Sequence, residues 1–277
     1  MNFIILVLKT GKVKFFTFVS FFFLLFTLSC KSTPDKPPVD PAVKKEVEVG
    51  RSLAARLIKK YGLIKDEEFT IYINQIGNSI AKVSSRQELN FRFGILNTNE
   101  VNAFACPGGY IFLTKGALAQ IENEAELAAV LSHELTHVTL MHSGKFEDQG
   151  FSFLDVLASI MAPGGDFVST FTKTAVDGMY AQLFGVGRAK NEELDADKAG
   201  AIYMVQAGYN VKAALDYLNK VTKAQNNETF TKTHPPTRER IDELSRFIKE
   251  QNFPLDGQIN RERFQSKYKA FVSRNPF

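Results

Sequence analysis

The sequence predicts an α+β domain, mainly helical, with a small β-sheet lying over the helices. Three patterns carry that reading: apolar residues at helical spacing in several long segments, one short alternating segment, and a Pro-Gly-Gly turn between two strand-like runs. One helical stripe runs through residues 49–61 and ends at Gly62. A second covers residues 69–83, where Phe69, Tyr72, Ile73, Ile76, Ile80 and Val83 share a face and Asp66 is the cap. Residues 91–96 alternate as a strand. Residues 102–105 and 110–114 read as two strands joined around Pro107-Gly108-Gly109. The next helix starts after Asn123, an N-cap with Glu126 at the capping-box position, and Gly144 supplies a stop. Leu127, Val130, Leu131, Val138 and Met141 form its apolar stripe, with Glu134 inside it. An acidic segment around residues 190–200 reads as another helix, and two more follow from Val211 and Thr237.

The helix after Asn123 carries the chemistry. It contains His133-Glu134-Leu135-Thr136-His137, the pattern His-Glu-x-x-His. Histidines four apart lie about one turn apart on one face, so both imidazoles can reach one Zn²⁺. Glu134 is angled toward the open position on such an ion, where it can take a proton from water. By itself the pattern also fits two surface histidines. The chain has only four histidines, at 133, 137, 142 and 234, and two of them form this pair. An ionised Glu134 on a buried stripe is costly unless a charge or metal compensates it.

A catalytic zinc needs a third protein ligand and keeps one position for water. His142 lies five residues past His137, roughly 140° around the helix at about 100° per residue, and is badly placed. Leu140 and Ser143 stand where the metzincin pattern needs a glycine and a third histidine, which excludes that arrangement. Downstream, Glu193 and Asp197 are four apart on one helical face. Glu193 can ligate zinc while Asp197 hydrogen-bonds a ligating imidazole. The bland reading is a solvated acidic helix, against which stand the small residues Ala196, Ala199 and Gly200, which allow close packing.

These segments together resemble the HtpX-like and CAAX-prenyl-protease-type zinc metallopeptidases, the gluzincins of peptidase family M48. Four motifs occur in family order between about residues 45 and 250: Asn102-Ala-Phe-Ala-Cys-Pro-Gly-Gly109, Glu124-Ala-Glu-Leu127 leading into the metal helix, the Glu193-x-x-x-Asp197 pair, and Thr233-His-Pro-Pro236. The resemblance implies a gluzincin-type domain with its sheet beside the active-site helix and one zinc per chain, held by His133, His137 and Glu193. It implies Glu134 as the general base and Asp197 as support for a ligand. The family often closes the third motif with Glu-Ala-Asp. Here Asp195-Ala196-Asp197 stands instead, so Asp195 is a competitor for the metal. The resemblance also places His234 at the active site, either donating to the oxyanion or latching the fourth zinc position. Asn102, Ala103, Phe104 and Ala105 should present an edge to which an extended polypeptide adds by backbone hydrogen bonds. The expected activity is endoproteolysis of unfolded or misassembled envelope proteins. The competing class is a latched, rarely cleaving periplasmic chaperone or assembly factor on the same scaffold.

Residues 1–29 read as a secretory signal: Lys9, Lys12 and Lys14 precede an apolar run from Phe15 to Leu28. Cys30 after Ser29 resembles a bacterial lipoprotein processing site, which implies a lipid anchor and a periplasm-facing domain. The alternative is an uncleaved anchor helix. Residues 30–44, rich in proline, form a tether. Residues 45–250 form the peptidase domain. Residues 251–277 remain as a short tail, too short for the tetratricopeptide repeats of longer family members. Removing residues 1–29, which hold three lysines and no acid, takes the formal net charge from +4 to +1. No basic run with interleaved aromatics marks a nucleic-acid surface. Cys106 has no partner for an intramolecular disulfide once Cys30 is lipidated and reads as a small hydrophobe. Residues 146–186, rich in Phe, Gly and Met, read as core helices, as a lid, or as a surface dipping into the bilayer.

Overall fold

The computed structural model describes residues 40–140, 145–146, 151–152, 173, 176–181, 188–223, 233–234 and 238–276. The signal, Cys30, His142, Gly144 and most of 146–186 lie outside the described residues.

Helix α1 (Pro41–Tyr61) starts inside the expected tether. Asp40 caps it by accepting from the Ala42 N–H at 2.8 Å, and Pro41 fits the first turn, where no intrahelical N–H bond is lost. Gly62, at φ +78°, ends it. Helix α2 (Glu67–Ala81) is capped by Asp66, which accepts from the Phe69 N–H at 3.0 Å. Its expected apolar face, Phe69, Tyr72, Ile73, Ile76 and Ile80, is buried.

Three strands form the sheet: β1 (Arg92–Leu96), β2 (Ala103–Cys106) and β3 (Tyr110–Thr114). Their order is β1-β3-β2, with β1 parallel and β2 antiparallel to β3, so β2 lies at an edge. A 3₁₀ turn (Pro107–Gly109) joins β2 to β3. Gly108 takes φ +68°, which glycine adopts without a Cβ penalty, and its N–H donates to the buried Glu46 of α1 at 2.8 Å.

After a short helix α3 (Lys115–Leu118) comes α4 (Glu124–Thr139), which carries His-Glu-x-x-His. Asn123 caps it, accepting from the Glu126 N–H at 3.0 Å. The Glu126 carboxylate reaches back one residue further than a capping box requires, to the Glu122 N–H at 2.8 Å. The expected stripe residues Leu127, Val130, Leu131 and Val138 are buried with Glu134, and so is every other residue of α4 except His133. Neighbours pack on every side: α2, β2, and two later helices, α5 (Lys190–Gln206) and α6 (Lys212–Lys223). A minor two-residue pairing, β4 (Lys145–Phe146) with β5 (Phe151–Ser152), lies between α4 and α5. Helices α7 (Arg238–Glu250) and α8 (Arg261–Arg274) complete the described chain. No helix among the described residues is long and apolar enough to cross a membrane.

The segment expected as a tail is part of the core. Phe264 and Phe271 of α8 are fully buried, and the Phe271 ring stacks on Phe69 at 4.5 Å. Their spacing with Tyr268 is helical, but the intervening charges leave the segment looking solvated.

Glu124, the first residue of α4, is fully buried and ties α8 to the metal helix. It accepts from Tyr72 Oη at 2.7 Å, Tyr209 Oη at 3.1 Å and Asn260 Nδ2 at 3.0 Å, and it pairs with Arg263. Burial pushes its carboxyl pKa up, but the Arg263 guanidinium and these donors outweigh burial and hold it below the ordinary value. A depressed folded-state pKa contributes stability that is present above the unfolded value and lost as pH falls through the folded one. Glu124→Gln is therefore expected to cost about 1–3 kcal/mol at pH 7, the range for a lost charged hydrogen bond. Urea denaturation at pH 7 and below pH 4 checks this: the gap between variant and parent should close in acid, and a gap independent of pH would refute the account.

Candidate metal centre

Two helices and one loop build the centre. His133 and His137 project from α4, Glu193 from the first turn of α5, and His234 from the loop before α7. One donor atom from each of the four lies within 4.8 Å of the others. His133 Nε2 and His137 Nε2 are 3.1 Å apart, and Glu193 approaches them at 3.5 and 3.3 Å. His234 Nδ1 stands 3.0 Å from Glu193 Oε1, while its Nε2 is 3.6 Å from Glu134 Oε1. Glu134 is 1 % exposed, and among the described residues its Oε2 has no hydrogen-bond partner.

Close helix packing makes this convergence possible. A Cβ on Gly200 of α5 would lie 3.3 Å from the His133 backbone nitrogen, so the two helices nearly touch beside the ligands. Asp195 is exposed, whereas Glu193 is fully buried and is the acid that joins the histidines in the cluster.

A second layer orients the first. Asp197 Oδ1 lies 3.0 Å from His133 Nδ1, which turns His133 Nε2 toward the cluster. Arg240, 3 % exposed, grips Asp197 with Nε and Nη2, both at 2.8 Å, and reaches Glu193 Oε2 with Nη1 at 2.7 Å. Sequence reasoning missed Arg240. The signal was present, since Arg240, Leu244 and Ile248 share one face of α7 and all three are buried.

The electrostatics suit a cation. Burial alone would raise the Glu193 pKa, but His234, Arg240 and His133 hold it well below the ordinary carboxylate value. Asp197 is likewise lowered against its burial, by Arg240 and His133. Burial, helped by the charge of Arg188, keeps His137 well below its usual pKa and hence neutral. Burial also works against protonation of His133, yet Asp197 and Glu193 prevail and push it up to about 9. The bound proton sits where these carboxylates would otherwise favour a metal ion, so cation binding displaces it. Imidazole nitrogens, an ionised carboxylate and an unpartnered buried oxygen beside them form a donor set that fits a divalent transition metal.

Asn102 and Ala103 line a cavity together with His133 and Glu134. Strand β2 has its expected edge position, but all four of its residues are buried. Val176 and Met179, in helical residues 176–181, pack into the same apolar cluster as Phe104 and Cys106. Cys106 behaves as a small hydrophobe, and burial pushes its thiol pKa up.

Residues 69–248 match peptidase family M48. The chain is 27 % identical over 190 residues to the Beta-barrel assembly-enhancing protease of Yersinia pestis, covering 65 % of this chain and 38 % of that protein. It is 28 % identical over 188 residues to the protein of that name in Escherichia coli K12, with the same coverages. It is 25 % identical over 201 residues to the Mitochondrial metalloendopeptidase OMA1 of Schizosaccharomyces pombe, covering 70 % and 55 %. The chain thus spans less than half the length of these bacterial relatives.

Replacing Arg240 tests the charge balance. Arg240→Met leaves Glu193 and Asp197 buried without their cation, a loss expected to cost the metal-free protein about 3–5 kcal/mol. A divalent ion should restore part of it, because it supplies the missing charge. Denaturant melts with and without metal measure both effects, and an unchanged midpoint in the metal-free variant would refute the role given to Arg240.

Proposed function

This chain belongs to peptidase family M48, and from that premise we propose that it is a zinc-dependent metalloendopeptidase of the bacterial cell envelope. The observation that carries the proposal is the convergence of His133, His137 and Glu193 beside a buried Glu134 whose Oε2 is unpartnered. When bound, zinc supplies a Lewis acid that polarises the peptide carbonyl and acidifies water. Glu134 takes the proton from the attacking water and returns it to the leaving amine. Asp197 fixes the orientation of His133, and Arg240 holds Asp197 and Glu193 in their ionised forms. Polypeptide adds along Asn102, Ala103, Phe104 and Ala105 by backbone hydrogen bonds, which favours unfolded or misassembled envelope proteins over one fixed sequence.

His234 has two roles open to it, supported by its two contacts. Its approach to Glu134 suits a donor to the oxyanion, and its approach to Glu193 suits a latch on the fourth metal position. One assay tests the whole scheme, with casein as substrate and zinc content measured in parallel. Glu134→Gln keeps zinc and loses cleavage. Glu193→Ala loses zinc, whereas Asp195→Ala keeps it. His234→Ala falls by about 10²–10³ in rate as a lost oxyanion donor, or rises as an opened latch. Unimpaired cleavage by Glu134→Gln would end the mechanism.

The envelope location rests on the sequence of residues 9–30 and on relatives named for β-barrel assembly. Cys30 carries the lipid anchor, and the residues between it and α1 tether the domain on the periplasmic side. Mass measurement should find an acylated chain starting at Cys30 and a longer unprocessed Cys30→Ser chain. A mature terminus elsewhere without acyl mass would favour an uncleaved anchor.

A further inference from the structure

The outward face of α1 is basic. The helix carries Lys44, Lys45, Arg51, Arg56, Lys59 and Lys60 against Glu46 and Glu48. Both acids are engaged: Glu46 is buried and pairs with Arg86, and Glu48 pairs with Lys45 at 3.0 Å. Arg56 pairs with Asp177 and lies over the Tyr180 ring. Lys44, Arg51 and Lys59 are exposed and make no ion pair among the described residues. At about 100° per residue they fall within an arc of roughly 80°, opposite the buried Leu53 and Leu57. The small, exposed Ser52 and Ala55 lie between them. The face continues onto the sheet through Tyr110. Arg51 Nε donates to Tyr110 Oη at 3.4 Å, and the exposed Arg92 of β1 lies over the same ring, 5.2 Å from its centre.

Folding alone does not explain this face. Lysines in the last turn suit the negative end of a helix, which accounts for Lys59. The first turn is the opposite case: it holds Lys44 and no acid, against the preference of a helix N-terminus. Arg51 and Arg92 bring two like charges to one ring. The chain before α1 supplies a direction. Cys30 precedes Asp40, the cap of α1, by ten residues, which span at most about 35 Å. A chain anchored at Cys30 therefore keeps α1 within reach of lipid headgroups. We propose that the face formed by Lys44, Arg51, Lys59 and Arg92 rests on the anionic phospholipid headgroups of the membrane that holds the anchor. The inference takes its direction from the anchor proposed above and adds to it a fixed orientation of the domain. Long side chains that end in cations match a fluid layer of headgroups, which demands no fixed partner geometry. Tyr110 suits the same depth, where an amphipathic ring sits among headgroups. Each such cation strengthens attachment to an anionic surface about fivefold.

Energy transfer from a dye on this face to a headgroup-labelled lipid tests the inference in the full, processed chain. Ala55→Cys puts the dye in the middle of the face, and Ser245→Cys puts it on the exposed side of α7 as a reference. The buried Cys106 does not compete for label. Chains are reconstituted with phosphatidylcholine vesicles or with vesicles containing about one third phosphatidylglycerol. Transfer from Ala55→Cys should rise at least about twofold in the anionic vesicles and fall back at about 0.5 M salt, where screening confines charge effects to a few Å. The reference position should gain less. Combining Lys44→Gln, Arg51→Gln and Lys59→Gln should abolish the rise. Combining Lys82→Gln, Lys249→Gln and Lys269→Gln removes the same charge from other exposed positions and should preserve it. Equal transfer in the two kinds of vesicle would overturn the inference, as would a rise that the first triple variant keeps. The salt dependence of the parent decides the matter even if that variant does not fold. Polyglutamate bound through the same three residues, without a gain of transfer in anionic vesicles, would assign the face to an acidic protein and also overturn it. A chain absent from both kinds of vesicle would remove the anchor and this inference together, whereas one held only by anionic vesicles would remove the anchor and keep the face.

Discussion

One buried guanidinium shared between two buried carboxylates organises the molecule. Arg240 spans Glu193 and Asp197, which lie one turn apart on α5, and so fixes α7 against α5. Without it, two neighbouring anions in a dry interior would repel each other and take up protons. With it, both stay ionised: Glu193 faces the metal site, and Asp197 orients His133. The position of α5 in turn depends on Gly200, whose missing side chain lets α5 approach the backbone of the metal helix. Charge pairing and close packing therefore act on the same pair of helices from opposite sides. Neither alone would bring a carboxylate from one helix into reach of two imidazoles on another.

How much of this was legible in the sequence follows from the range of each interaction. His133, Glu134 and His137 are set by one helical turn, and the spacing of Glu193 and Asp197 is equally local. Asp66 and Asn123 show as caps because a cap bonds within three residues of itself. The strands around Pro107-Gly108-Gly109 are marked by turn chemistry. Choosing Glu193 over Asp195 took the fold, since both are acids on one helix and only their burial separates them. Arg240 was missed because its partners lie 43 and 47 residues earlier in the chain. The burial of α4 beyond its apolar stripe was hidden for a related reason. A helix at the centre of a domain has packing partners all round, so one face no longer describes it.

The C-terminal helix shows how far the centre reaches. Arg263 and Asn260 meet the buried Glu124 at the first residue of the metal helix, while Phe264 and Phe271 fill the core beside α2. A negative side chain suits that end of a helix, where the N–H groups leave a partial positive charge. Glu124 is thus stabilised by the helix it begins and by groups from three other parts of the chain. The end of the chain thereby sets the position of His133 two and a half turns along α4. Its charge-rich sequence conceals this, because charged residues between the buried aromatics face solvent.

The candidate centre and the strand beside it are held by different kinds of contact. His133, His137, Glu193 and Glu134 converge, with Asp197 and Arg240 behind them, while the edge strand β2 is buried along its length. Val176 and Met179 share an apolar cluster with Phe104 and Cys106. Such contacts are not directional and break without leaving polar groups unsatisfied, unlike the charged network behind the metal. The polar network behind His133 and Glu193 is therefore the more geometrically specified of the two.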